Sequence, residues 1–389
     1  ECEDLWALKL DADGNAPTEP EMQDTPGWVA GYWADPGLTD GALTVRTDGP
    51  GYVAAANSVY SPYDTCYLFA VDGTGVPEWV QPVTVAAGSP RLRRVIALED
   101  GGYGVVGSVY KTINGLMVVR LAQDGSELWR YAPEATVSTE AYDLAETDDG
   151  GLIVVGSYYD ASAEAGGRYA GYLVRLSANG DEVWRKWEPG AELARIVAIE
   201  PAPDGYDLLV NEKVDGVWRS RLVEVDRDGV VLDGHPIPHE LGLELTDLLP
   251  IDTGGWILGG RTYTDTNWSD GVIVRMSAAG EVVWSVAPET YSSSEVSLAK
   301  LPDGNVLAAG RANYGMLLDV WTVEGEFVSR NTVAAADTNG GRGKLVVQEE
   351  GIAGIGRGNL PWGYGSRAVI FQADLHGITD REITHYELD

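Results

Sequence analysis

Three observations predict an all-β protein, a β-propeller of four-stranded blades. One turn phrase recurs along the 389 residues at near-constant spacing. A second turn phrase precedes most copies of it. The strands between are rich in Val, Ile, Leu, Tyr and Trp, and no long stretch shows helical periodicity. A period near fifty residues with four strands per unit suits a propeller, because ring closure leaves no sheet face uncovered.

The first phrase is an apolar strand, a short turn ending in Gly, and a second strand that often bears Trp. It reads LWALKLDADGN at Leu5 to Asn15, YLFAVDGTGVPEW at Tyr67 to Trp79, MVVRLAQDGSELW at Met117 to Trp129 and YLVRLSANGDEVW at Tyr172 to Trp184. The turn glycines are Gly14, Gly75, Gly125, Gly180, Gly229, Gly280, Gly325 and Gly377, spaced by 61, 50, 55, 49, 51, 45 and 52 residues. The second phrase is a DGG-like turn inside a hairpin, as in EDGGYGVVGSVY from Glu99 and DDGGLIVVGSYY from Asp148. Each unit is therefore strands A, B, C and D, with Gly supplying the positive φ that tight hairpins need.

Eight C–D hairpins face only seven A–B hairpins, which favours seven complete blades over 41–389 (eight is the alternative). Residues 1–40 are then a spare hairpin and linker. The hairpin's apolar strand, with Leu5, Trp6, Leu8 and Leu10, is expected to dock: either within the chain, displacing a strand outward, or on a second copy by strand addition, giving oligomers or filaments. GWVAGYWADPG, beyond it, is expected as a linker or an extra edge strand.

The C–D phrase resembles the repeats of bacterial tryptophan-docking propellers, the quinoprotein-like group. Trp79, Trp129, Trp184 and Trp284 follow the turn Gly by four residues, while Thr18, Asp233, Ser329 and Arg381 fill the other slots. The resemblance implies that each Trp stacks on the next blade's turn. It does not carry over a dehydrogenase, since that family's vicinal cysteine pair is absent: Cys2 and Cys66 are far apart. These two are expected as a disulfide or as free buried thiols.

Acidic residues outnumber basic ones 60 to 27, for a net charge of −33. Such a surface repels nucleic acid and anionic membranes, and no apolar run is long enough to insert in a bilayer. DADGN spaces Asp11, Asp13 and Asn15 as calcium ligands would be, and Asp226 and Asp228 follow the same pattern; self-capping turns are the other reading. Cofactors are thus none, or Ca2+. His235 and His239, in HPIPHE, read as a surface-loop pair. No nucleophile, HExxH or P-loop motif is present, so the chain is expected to be non-catalytic.

The B–C loops carry aromatics among polar residues, with Tyr159, Tyr169, Tyr263, Trp268, Trp362 and Tyr364 as candidate binding residues. Their arrangement suits sugar stacking or a protein interface. The expectation is an extracellular or cell-surface interaction module, its partners itself, a surface protein or a glycan. The alternative is a carbohydrate- or ligand-binding propeller using this aromatic face.

Overall fold

The computed structural model describes residues 28–34, 38–58, 65–85, 88–160, 168–188, 194–238, 242–263, 269–288, 296–312, 315–333, 345–348, 351–359, 366–373 and 383–388. They form strands and turns, arranged in seven sheets. Six sheets are four-stranded meanders in chain order: blade 1 over 38–84, blade 2 over 89–131, blade 3 over 138–188, blade 4 over 194–236, blade 5 over 242–286 and blade 6 over 297–333. This is the seven-bladed propeller that the hairpin count favours.

The seventh sheet has five strands and shows how the ring closes. Leu345–Gln348, Gly351–Asn359 and Ser366–Ala373 are its strands A, B and C. The D slot is filled by Trp28–Trp33 from the other end of the chain, antiparallel to strand C with Tyr32 opposite Ala368. The chain's last strand, Ile383–Glu387, lies outside it and parallel, with Ala30 opposite Thr384. A strand is thus displaced outward, as intramolecular docking requires, but the segment that does it is WVAGYW. The hairpin strand with Leu5, Trp6, Leu8 and Leu10 lies outside the described residues, as do Asp11, Asp13, Asn15 and Cys2.

The buried side chains form seven clusters, one at each blade interface, including the seam between blades 7 and 1. At that seam Ala30, Tyr32 and Leu388 pack with Leu43, Tyr52, Phe69 and Ile370. Most B and C strands are buried on both faces over much of their length, and read there as continuous apolar runs such as GLMVVRL in blade 2.

The Trp residues dock as the repeat implies. A Cβ placed on Gly125 would sit 2.5 Å from the Trp79 ring, and one on Gly180 2.7 Å from Trp129. Trp184 meets Gly229 and Trp284 meets Gly325 in the same way. The Nε1–H of Trp129 donates to the Ala178 carbonyl at 2.8 Å, and that of Trp284 to Val323 at 3.0 Å. His235 performs this job between blades 4 and 5, its ring against Gly280. It is therefore a half-buried packing residue rather than a member of a surface-loop pair; His239 lies outside the described residues.

The A strands, innermost in each blade, carry one extra residue at the same place in five consecutive blades. The register jumps across Gly41, Arg93, Tyr142, Val197 and Thr246. A bulge leaves backbone groups unpaired and re-aims the side chain it carries. Side chains near the bulges bond backbone groups on the next blade's A strand. Asn57 in blade 1 bonds both the N–H (2.7 Å) and the carbonyl (2.9 Å) of Leu92 in blade 2. Asn211 does the same to Leu245. Asp143 accepts from the Ile199 N–H at 3.0 Å, and Asp247 from Leu298 at 2.7 Å.

Candidate functional site at the channel mouth

The meander puts A–B and C–D turns on one face and B–C connections on the other. The turn face is acidic, with Asp72, Asp100, Asp124, Asp149, Asp226 and Asp303 in its hairpins. These carboxylates are spent on their own turns: Asp226 accepts from the N–H groups of Asp228 (2.9 Å) and Val230 (2.8 Å). Among the described residues no group of three or more His, Cys, Asp or Glu side chains is placed to hold a metal.

On the opposite face the A strands begin at the mouth of the central channel, and here the chemistry changes. Arg93, aimed by its bulge, donates from Nη2 to the Tyr110 hydroxyl at 3.0 Å and to Glu140 at 2.9 Å. Its guanidinium lies 4.8 Å from the centre of the Tyr142 ring. The Tyr142 hydroxyl donates to Glu140 at 3.2 Å and lies 3.2 Å from Ser157 Oγ. Burial pushes the Tyr142 phenol up to about 12, the Glu140 charge adds to this, and the charges of Arg93 and Arg195 oppose it. Tyr142 therefore holds its proton at neutral pH.

A second cluster continues from blade 3 to blade 5. Tyr159 and Tyr169 meet at a tilt of 50°, with ring centres 4.9 Å apart. Arg195 lies 5.4 Å from the Tyr169 ring and 5.2 Å from the Trp218 ring, and Lys213 lies 5.9 Å from Trp218. Beyond Arg195, the buried Glu244 is 3.9 Å away and is held by Arg261 through bonds of 3.0 and 2.7 Å. A hollow of about 680 Å³ opens on Trp218 on the outer side of blade 4, over the ends of its strands C and D; it is lined also by Glu212, Arg219, Arg221, Pro236 and Leu243, and of this cluster only Trp218 reaches it. That volume is ordinary for a small-molecule site.

Four arginines at this mouth (Arg93, Arg94, Arg195, Arg261) stand against three carboxylates (Glu140, Asp143, Glu244). Arg94 pairs with the fully buried Asp143 at 3.2 Å. Among the described residues these side chains balance to a slight positive excess, in a chain of net charge −33.

Of the binding residues expected from sequence, the structure brings Tyr159 and Tyr169 together. Tyr263 ends a strand of blade 5, but its side chain is outside the described residues, as are Trp268, Trp362 and Tyr364. The arginines, Glu140, Tyr142, Glu244 and Trp218 did not emerge from the sequence. Their signal is charge at the start of otherwise apolar A strands, as in RLRR at 91–94. Of the two expectations for the cysteines, Cys66 fits the free buried thiol and is fully buried, while Cys2 lies outside the described residues. The Cys66 Sγ donates to the Pro90 carbonyl at 2.9 Å and contacts Asn57 Oδ1 at 3.3 Å. Burial pushes this thiol up to about 11, so it is an inert core residue.

No protein-family model and no curated protein matches the chain. Solved structures do. Virginiamycin B lyase from Staphylococcus aureus is 9% identical with a TM-score of 0.57, over 88% of this chain and 99% of that one. The periplasmic gluconolactonase of Pseudomonas aeruginosa is 15% identical with a TM-score of 0.51, over 85% and 96%. Quinohemoprotein alcohol dehydrogenase from Comamonas testosteroni is 10% identical with a TM-score of 0.51, over 97% and 81%. At these identities the likeness shows the β-propeller fold. The expectation of a non-catalytic module is overturned by the same neighbours, which are mostly enzymes. Among the described residues, no helix is long and apolar enough to cross a membrane.

Proposed function

We propose that the protein binds a saccharide at the channel mouth of blades 2 to 5 and cleaves it there by acid–base chemistry. The observation that carries this reading is the continuous array Tyr159–Tyr169–Arg195–Trp218, with the Tyr142–Glu140 pair in the adjoining blade-3 strand. Aromatic faces with polar tips suit the apolar faces and hydroxyls of a sugar ring. Hydrolysis would break the glycosidic C–O bond as a water oxygen bonds to the anomeric carbon, with Glu140 taking the water's proton and Tyr142 giving its own to the departing sugar oxygen. We also read the repeat as the tryptophan-docking type, supported by the four Trp–Gly contacts between blades. A location outside the cytoplasm accords with the name of the periplasmic gluconolactonase that shares the fold.

A glycan array probed with the intact protein tests the reading. Binding should fall at least tenfold in Trp218→Ala and Tyr169→Ala. Tyr142→Phe should keep binding and lose most of the release of new sugar ends from a bound glycan. Binding to no glycan, or undiminished binding in both aromatic variants, overturns the proposal.

A further inference from the structure

The hollow on the outer side of blade 4 opens where strand D stops short of the end of strand C. Strand D pairs with strand C from Val225 opposite Val231 to Arg221 opposite Pro236, and the Ile237 N–H then reaches the Ser220 carbonyl at 3.1 Å. Strand C itself starts earlier, at Val217. Main-chain groups point to alternate sides along a strand. The Ser220 carbonyl faces strand D, so the N–H and carbonyl of Trp218, two residues back, face the same side. There no strand pairs with them among the described residues. The lining of the hollow runs without a break from Val217 to Arg221 and takes in Pro236, Ile237 and Pro238. Strand D is guarded against pairing on its own outer edge: Asp233 Oδ1 accepts from the Gly234 N–H at 2.7 Å, and Pro236 has no N–H.

The surroundings of the hollow are basic. Arg219 and Arg221 line it, and Arg195 and Lys213 lie 5.2 and 5.9 Å from the Trp218 ring. The carboxylates near them are Glu212, 3.6 Å from Arg221, Glu244, which Arg261 holds, and Asp215 at the hairpin tip. Residues 1–27, ahead of the closing strand, hold eight acids against Lys9 alone, with Leu5, Trp6, Leu8 and Leu10 among them. Trp28 enters the ring at the turn-face end of blade 7. The hollow lies toward the opposite face, three blades away by the shorter way round.

We propose that this hollow receives the N-terminal segment of a second copy as an added strand. Residues 1–13 pair with the open main chain of Trp218, an apolar side chain of that segment enters the hollow, and its acids meet Arg219 and Arg221. Strand addition draws affinity from main-chain hydrogen bonds and specificity from side-chain pockets. The contact is head-to-tail, so it propagates into open chains of copies. Arg219 and the Trp218 main chain play no part in the saccharide reading, so either proposal can fail alone.

Sedimentation of the intact protein over a range of concentrations tests this, with a synthetic peptide of residues 1–13, carrying Cys2→Ser, as competitor. At low salt the protein should form a series of oligomers that excess peptide disperses. Arg219→Glu, at an exposed position, should melt with the wild type and weaken the association about tenfold. Raising the salt from about 0.05 to about 0.5 M should weaken it comparably. Two further peptides, N-methylated on alternate residues, each block main-chain pairing along one edge; one should compete and the other should not. A protein that stays monomeric and binds no peptide overturns the proposal. Oligomers that neither the peptide nor Arg219→Glu disturbs also overturn it, since the copies then meet elsewhere. A monomer that binds the peptide overturns the second copy as the occupant and gives the site to the chain's own segment. Equal competition by both methylated peptides overturns strand addition.

Discussion

The Tyr32 hydroxyl donates a 2.6 Å hydrogen bond to the carbonyl of Gly75, joining the N-terminal closing strand to the C–D turn of blade 1. The same ring lies 4.9 Å from Phe69 and is fully buried. One side chain thus holds the seam where the two ends of the ring meet. Tyr32→Phe removes only the hydrogen bond and leaves a buried carbonyl unmet, a loss of about 1–2 kcal/mol. Tyr32→Ala also opens a cavity, for about 3–5 kcal/mol. Urea unfolding of the two variants should show that order, with the seam strands 28–33 and 366–373 losing amide protection first.

Docking of Trp on Gly has a built-in control. Gly180 sits at φ +84 with the Trp129 ring 2.7 Å from a would-be Cβ, while Gly304 sits at φ +90 with nothing within 4 Å. Alanine at Gly304 incurs backbone strain alone, about 1 kcal/mol. Alanine at Gly180 adds a clash between blades 2 and 3, and should cost about 1–3 kcal/mol more. Thermal melts of the two variants measure the difference.

Asn57 ties blade 1 to the bulge of blade 2 through both backbone groups of Leu92. Asn57→Ala leaves a buried N–H and carbonyl unpaired and should destabilise by about 2–4 kcal/mol. Hydrogen exchange at Leu92 should rise well beyond what global destabilisation explains.

Asp207 gives the stability a pH dependence. Burial pushes its carboxyl up to about 6; the Trp256 Nε1–H, at 2.6 Å, opposes the rise, as does His235, while Glu224 and Glu200 add to it. The folded state therefore holds this proton more tightly than the unfolded chain, whose value is about 3.9. The contribution is fully present below about pH 4 and is lost as pH rises through about 6. Asp207→Asn should match the wild type near pH 4 and exceed it by about 2 kcal/mol at pH 7. Unfolding curves from pH 4 to 8 give the crossover.

The blades were legible because six C–D turns among the described residues place Gly at positive φ, for instance Gly125 at 82° and Gly180 at 84°. That need repeats with every unit and leaves a fixed period in the sequence. Closure by a strand from the N-terminal part was legible, but not which segment makes it. WVAGYW pairs with Ser366–Ala373 across nearly the whole chain, and nothing local distinguishes it from an ordinary edge strand. Tyr159 and Tyr169 could be found as B–C aromatics because they flank one hairpin. Arg93 and Tyr142 could not, since each is the extra residue of a bulge and simple alternation assigns it to the wrong face. His235 takes a docking place six residues after its turn Gly instead of four, so the empty slot at Asp233 concealed it.

A crystal structure with the tightest-binding saccharide of the glycan array tests the central claim most directly. The account predicts the sugar ring against Tyr169 and Trp218, with the bond to be cleaved within reach of Tyr142 and Glu140. A saccharide seated on the acidic turn face, or anywhere away from blades 2 to 5, would contradict it.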